Sequence, residues 1–142
     1  YIIYYIMSYT VVGDSLIQHY EYHDTICYPG MTLEFFVSNP SDELLSHLNT
    51  EYIFCFGSND LAMGIPEDKV IENYLVLKEQ NKKYKKWCLI LPPLQTTSFY
   101  EKCINKLNCS FITTFMMDYK TIDGIHPTDH TLAQLKFDIE NV

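Results

Sequence analysis

Strand-length apolar runs recur at residues 9–12, 25–28, 52–56, 87–91 and 110–115, and stretches of helical spacing lie between them; this alternation limits the fold more than any other feature. The helical stretches carry their own start signals. Asn39-Pro40-Ser41-Asp42-Glu43 opens Leu44-Leu45-x-x-Leu48, and Ile65-Pro66-Glu67-Asp68 opens Val70-Ile71-x-x-Tyr74-Leu75-x-Leu77. Thr97-Ser98 precedes Phe99-Tyr100-x-x-Cys103-Ile104-x-x-Leu107, and Thr128-Asp129 precedes Leu132-x-x-Leu135-x-x-x-Ile139. Strands separated by helices pair in parallel through crossovers, which predicts a three-layer α/β domain around an open sheet of about five strands. In such a sheet, ligands bind beyond the carboxyl ends of the strands, so the residues that follow each strand are where chemistry is expected.

The length of 142 residues suits one domain spanning 1–142. The opening Tyr1-Ile2-Ile3-Tyr4-Tyr5-Ile6 is apolar but lacks a basic flank and a cleavage site; it reads as an extension that either precedes a start at Met7 or follows a removed segment. No apolar run reaches the roughly 18 residues of a membrane span. A net charge of −8 repels polyphosphate, so nucleic acid is not an expected partner. All ten basic residues are lysines, which leaves no guanidinium fork to clamp an anion; backbone amides, Lys or His must do it. The five cysteines (Cys27, Cys55, Cys88, Cys103, Cys109) contain no CxxC pair and sit mostly in apolar runs, so reduced thiols in a reducing, cytoplasmic setting are expected, without zinc or disulfides.

Three clusters fall on the expected ligand-bearing edge: Gly13-Asp14-Ser15-Leu16 after the first strand, Gly57-Ser58-Asn59-Asp60 after the third, and Asp123-Gly124-Ile125-His126-Pro127 late in the chain. Together they supply what acyl transfer requires. A serine hydroxyl is a weak nucleophile, so a histidine must take its proton as it attacks, and a carboxylate must fix that histidine's tautomer and stabilise the imidazolium. Ser15, His126 and Asp123 fit these roles, with the three-residue spacing letting a turn bring Asp123 to the ring. The oxyanion requires fixed donors. Candidates are the Ser15 backbone amide, the Asn59 side chain, and Gly30 in Tyr28-Pro29-Gly30-Met31-Thr32, where glycine lets backbone approach a substrate.

These four groups of residues, Gly13-Asp14-Ser15-Leu16, Gly30, Gly57-Ser58-Asn59-Asp60 and Asp123-x-x-His126, resemble in order the four sequence blocks of the SGNH hydrolases, also called GDSL esterases and lipases. The resemblance runs from about Val11 to His130. It implies a flavodoxin-like parallel sheet with helices on both faces and ester hydrolysis without metal or organic cofactor. It carries the nucleophile to Ser15, the oxyanion donors to Ser15, Gly30 and Asn59, and the supporting pair to Asp123 and His126.

The chain departs from the family pattern in being short, with no long insertion after any strand, so an open, shallow site is expected. That favours a small acyl group, acetyl first, on a small-molecule ester, with Leu61, Met63, Pro93 and Leu94 lining the acyl side. The expected state is a monomer or weak homo-oligomer. A different class shares the scaffold: a binding module for a carbohydrate, lipid headgroup or protein partner that has lost turnover. Plainer roles exist for each residue as well. Ser15 suits a helix N-cap, Asp14 and Asp60 suit turn-fixing residues, and His126 suits a loop histidine satisfied by a carbonyl. His19, Glu21 and His23 present two histidines four apart on an expected helical segment, but without a third ligand they do not make a zinc site. His47 and His130 read as surface residues, and Trp87 as packing beneath a helix.

Overall fold

Each of the five apolar runs contributes a strand. A computed structural model of the chain describes residues 9–39, 51–81, 87–93, 96–113 and 119–141. Strands β1 (Tyr9–Gly13), β2 (Asp24–Cys27), β3 (Glu51–Cys55), β4 (Trp87–Leu91) and β5 (Ser110–Thr113) form one sheet in the order β2-β1-β3-β4-β5. All pairings are parallel. The order reverses at β1, whose neighbours are the second and third strands of the chain. In open α/β sheets such a reversal marks the ligand-binding crevice, here at the carboxyl ends of β1 and β3.

A short 3-10 turn, Ser15–Ile17, follows β1, and the helices are α1 (Leu33–Ser38), α2 (Ser58–Ala62), α3 (Glu67–Gln80), α4 (Thr97–Lys106) and α5 (Asp129–Glu140). The start signals at Pro66 and Thr128 hold: Glu67 and Asp68 occupy the first turn of α3, and the Thr128 hydroxyl accepts from the Thr131 amide of α5. At α4 the cap is one residue earlier than the sequence suggests, because the Thr96 hydroxyl accepts from Phe99 N and leaves Thr97 inside the helix. Helix α1 is not expected from periodicity; at six residues it is too short to display one, and the Thr32 side chain starts it by accepting from Phe35 N. The helix expected at 44–48, the lysine cluster at 82–86, His47, Leu94 and the side chain of Trp87 lie outside the described residues.

Successive residues of the central strands divide between two cores. Val12, Tyr52, Phe54, Leu89 and Leu91 pack with residues of α1, α3 and α4, including Phe36, Tyr74 and Phe99. Their neighbours Val11, Ile53, Cys55, Cys88 and Ile90 pack on the opposite face with Leu132, Leu135 and Ile139 of α5. The period of two in a strand therefore produces the three layers: the bulkiest rings go to the face covered by three helices and smaller side chains to the face covered by α5. Cys55, Cys88 and Cys103 are buried, Cys27 and Cys109 half-buried, and all five thiols are free.

At the crevice, β1 and β3 approach so closely that Gly13 has no room for a side chain. A Cβ there would lie 2.5 Å from the Cys55 carbonyl oxygen and 2.9 Å from its Cβ. The two strands would have to separate, so Gly13→Ala is expected to cost about 1–3 kcal/mol, as overpacked cores do. Urea unfolding of the variant against wild type measures this, and an unchanged midpoint would contradict the contact.

Candidate active site

The turn after β1 is held from both sides. Asp14 N donates to Cys55 O of β3 at 3.1 Å, Tyr28 N donates to Gly13 O at 2.8 Å, and the Cys27 thiol donates to Asp14 O at 3.3 Å. Asp14 caps the 3-10 turn: its Oδ1 accepts from Leu16 N at 3.0 Å. Ser15 is thus the first residue of the turn and not its cap, which leaves its hydroxyl free of that duty. Its Oγ lies 3.0 Å from Nε2 of His126, 111 residues further along the chain.

The other ring nitrogen, Nδ1, lies 2.6 Å from Asp123 Oδ2. Asp123 Oδ1 accepts from Ile125 N at 3.0 Å and from His126 N at 2.8 Å, so one carboxyl closes the backbone turn and orients the ring. The His126 amide, then the Ile125 amide and the ring itself hold the Asp123 carboxyl down at about 2, below the usual 3.8, although it is exposed. An ionised Asp123 accepts only, so Nδ1 donates to it and Nε2 presents its lone pair to the Ser15 hydroxyl.

Residues outside the motifs anchor this loop. Thr121 bridges Pro127 in antiparallel fashion, Ile122 N donates to His126 O at 2.9 Å, and the Tyr119 hydroxyl donates to Ile125 O at 3.0 Å. The buried Thr131 hydroxyl, on the first turn of α5, donates to Lys120 O and accepts from Lys120 N, both at 2.9 Å. Tyr119 and Thr131 escape sequence reasoning because their partners are backbone atoms with no residue signature. Only the Thr128-x-x-Thr131 spacing at a helix start hints at the second.

Asn59 sits in the first turn of α2, which Gly57 enters with φ of 111°; a Cβ on Gly57 would also lie 2.6 Å from the Tyr74 hydroxyl. The Asn59 amide donates to Met31 O at 3.1 Å, so it lies against the turn that contains Gly30. Gly30 has φ of 77°, with nothing within 4 Å of where a Cβ would stand. Its backbone conformation, not crowding, asks for glycine there. The next residue, Asp60, is fully buried and spans the same gap: Oδ1 accepts from Leu33 N at 2.7 Å and Oδ2 from Glu34 N at 3.1 Å. Two consecutive side chains of α2 therefore fix the Gly30 turn and the start of α1.

Of the expected acyl-side residues, Leu61 is half-buried and packs against the core, Met63 is 72% exposed, and Pro93 is half-buried in the turn after β4. Leu94 lies outside the described residues. The stretch that bears His19, Glu21 and His23 is a series of turns and bends and not a helix. His23 instead lies 2.6 Å from the Tyr20 hydroxyl and 3.1 Å from Glu140 Oε2, joining the start of β2 to the end of α5. Among the described residues no group of three or more His, Cys, Asp or Glu is placed to hold a metal ion. His130 is exposed on α5.

No family model and no curated protein matches the chain by sequence. Solved structures do match. A GDSL-like lipase from Bacteroides thetaiotaomicron superposes with a TM-score of 0.73 at 16% identity, over 95% of this chain and 88% of that one. An acetyl xylan esterase gives 0.71 at 15% identity over 94% and 98%. A psychrotrophic esterase from Pseudoalteromonas sp., inhibited by monoethylphosphonate, gives 0.66 at 17% identity over 95% of both chains. The chain shares its α/β fold with these GDSL-type lipases and esterases.

The link through Asp60 is testable apart from any activity. Asp60→Ala leaves the Leu33 and Glu34 amides without their acceptor, with an expected cost of about 2–4 kcal/mol in chemical denaturation. Asp60→Asn, which keeps one acceptor, should lose less. Equal stability of wild type and Asp60→Ala would contradict the link.

Proposed function

We propose that this chain is a serine ester hydrolase of the SGNH kind that cleaves carboxylic esters with small acyl groups through an acyl-Ser15 intermediate. The carrying observation is the continuous hydrogen-bonded path from Ser15 Oγ through His126 to Asp123, built on the sheet edge that also holds Asn59 and Gly30. The shared fold and the four motifs in order support the same reading.

The chemistry follows from the donors and acceptors present. As Ser15 Oγ bonds to the ester carbonyl carbon, its proton passes to His126 Nε2, and Asp123 stabilises the imidazolium through Nδ1–H. The carbonyl oxygen becomes an oxyanion facing the amides of Ser15 and Gly30 and the Asn59 side chain. His126 returns the proton to the alcohol oxygen as the carbon–oxygen bond breaks. Water, deprotonated by the same imidazole, then releases the acid and restores the Ser15 hydroxyl.

The small-acyl preference rests on exposure. Met63, just beyond the Asn59 turn, and Ile122, beside Asp123, are each 72% exposed, so methylenes laid against them would stay wet. A methylene gains about 0.8 kcal/mol only when buried. The acetyl xylan esterase among the similar structures points the same way.

Ser15→Ala and His126→Ala should each lower kcat on p-nitrophenyl acetate by about 10³-fold or more with unfolding midpoints retained, and Asn59→Ala by about 10²-fold. A fluorophosphonate should label wild type at Ser15 and leave Ser15→Ala unlabelled. Absence of an adduct on wild type would favour the binding module. Across acetate to decanoate esters, kcat/KM should fall with chain length; a preference for eight carbons or more would defeat the small-acyl reading.

A further inference from the structure

Thr131 carries a hydroxyl that helix α5 does not need. Thr128 already caps that helix, its Oγ1 accepting from the Thr131 amide at 3.3 Å, and a β-branched residue is a poorer helix former than alanine. Yet Thr131 is fully buried, and its hydroxyl spends its one donor and both acceptor sites: it donates to Lys120 O and accepts from Lys120 N, both at 2.9 Å, and accepts from the Thr128 hydroxyl at 3.3 Å. Two of these three bonds go to the backbone of a residue 11 positions earlier in the chain.

From Lys120 the tie reaches the base. Lys120 O also accepts from Thr128 N at 3.0 Å, Thr121 bridges Pro127, and Ile122 N donates to His126 O at 2.9 Å. Residues 120–122 and 126–128 therefore lie side by side as two arms of one loop, with Asp123, Gly124 and Ile125 at its tip. The arm that carries His126 is located by the arm that begins at Lys120, and Lys120 is gripped by Thr131. At the other end of this path stands the nucleophile. Leu132, next to Thr131, belongs to the same buried cluster as Leu16 and Ile17, the two residues that follow Ser15. One core thus places the Ser15 turn directly and the first arm of the His126 loop through the Thr131 hydroxyl.

We propose that Thr131 is a positioning residue for the base: its hydroxyl sets the His126 loop in register with the Ser15 turn and so holds Nε2 at 3.0 Å from Ser15 Oγ. Among the contacts of its hydroxyl is neither the ring nor the serine; it acts through the Lys120 backbone. Its effect on rate rests on the esterase reading of the same site, in which a base misplaced by about 1 Å costs up to about 10²-fold. The Gly30 and Asn59 side of the crevice does not depend on this tie, so the loss should fall on kcat and not on KM.

Thr131→Val keeps the shape of the side chain and removes the hydroxyl, whereas Thr131→Ser keeps the hydroxyl. On p-nitrophenyl acetate Thr131→Val should lower kcat about tenfold or more with KM within about threefold, and Thr131→Ser should stay within about threefold of wild type in both. Amide hydrogen exchange followed by NMR reads the loop without any ester. Protection of the Ile122 and Thr128 amides should fall about tenfold or more in Thr131→Val, while Val12 and Phe54, paired in β1 and β3, keep theirs. If Thr131→Val fails to fold, Thr131→Ala, which sets no methyl against Lys120, takes its place.

Wild-type loop protection in the folded variant would overturn the proposal, as would loop amides that lose protection while kcat is unchanged in an active enzyme. A Thr131→Ser as slow as Thr131→Val would overturn it too, because the hydroxyl would then not be the cause. So would an equal loss of protection in loop and sheet, which is what a merely structural Thr131 produces. The two readings fail separately. Lost loop protection in Thr131→Val, where wild type neither hydrolyses esters nor labels at Ser15, would sink the esterase reading and leave the tie from Thr131 to the loop standing; full protection in an active enzyme would do the reverse.

Discussion

The closeness of β1 and β3 at Gly13 sets the geometry on which the candidate site rests. With no side chain at residue 13, the backbone of Asp14 reaches the Cys55 carbonyl, and the strand end is joined to β2 as well through Tyr28 N and the Cys27 thiol. The chain then leaves the sheet in a single tight turn, so Ser15 stands above the crevice at a place fixed by three strands. A side chain at 13 would widen the gap between β1 and β3 and tilt that turn. The missing Cβ thus bears on how closely β1 approaches β3 and on where the Ser15 turn begins.

The two halves of the site are built differently. Ser15 belongs to the packed sheet, with buried Leu16 and Ile17 directly after it. His126 and Asp123 belong to a loop whose side chains are largely open to water and whose shape depends on a few polar ties, chiefly Thr131, Tyr119 and the Asp123 turn. Segments held by few polar ties open locally at lower cost than the packed sheet unfolds, so the two halves differ in how firmly they are built. A turn that uses Asp123 Oδ1 for backbone and Oδ2 for the ring couples loop closure to ring orientation: if the turn opens, the ring loses its tautomer-fixing partner as well.

What the sequence reveals here is what chemistry or continuous burial writes into single residues. The five strands are legible because a parallel sheet covered on both faces needs unbroken apolar runs, as in Tyr52-Ile53-Phe54-Cys55. Ser15, Asn59, Asp123 and His126 stand out in the sequence because few side chains suit the proposed roles of nucleophile, amide donor, carboxylate and base. Contacts that join distant stretches through backbone atoms are not legible. Asp60 looks like a turn residue, yet it binds amides 27 and 26 positions away; α1 is too short to show a period; and the capping duty at the first turn falls on Asp14 rather than Ser15 because of where the backbone leaves β1. The metal-like spacing of His19 and His23 loses its meaning because the segment is not helical, and His23 faces Tyr20 and Glu140 instead.

The charges around the crevice impose a conflict that the architecture has to resolve. Asp14 and Asp60 are buried next to Ser15 and Asn59, and Asp123 contacts the His126 ring, in a chain of net charge −8 without a single arginine. In the proposed mechanism such a field would favour the imidazolium formed as Ser15 gives up its proton and would oppose the oxyanion formed in the same step. The opposition is local, so the remedy must be local. On that proposal dipoles rather than cations would supply it: the amide of Ser15 at the head of its turn, the Gly30 turn, and the Asn59 side chain held by Met31 O. Fixed N–H groups offset a transient negative charge without binding a standing anion tightly, as lysine or arginine would.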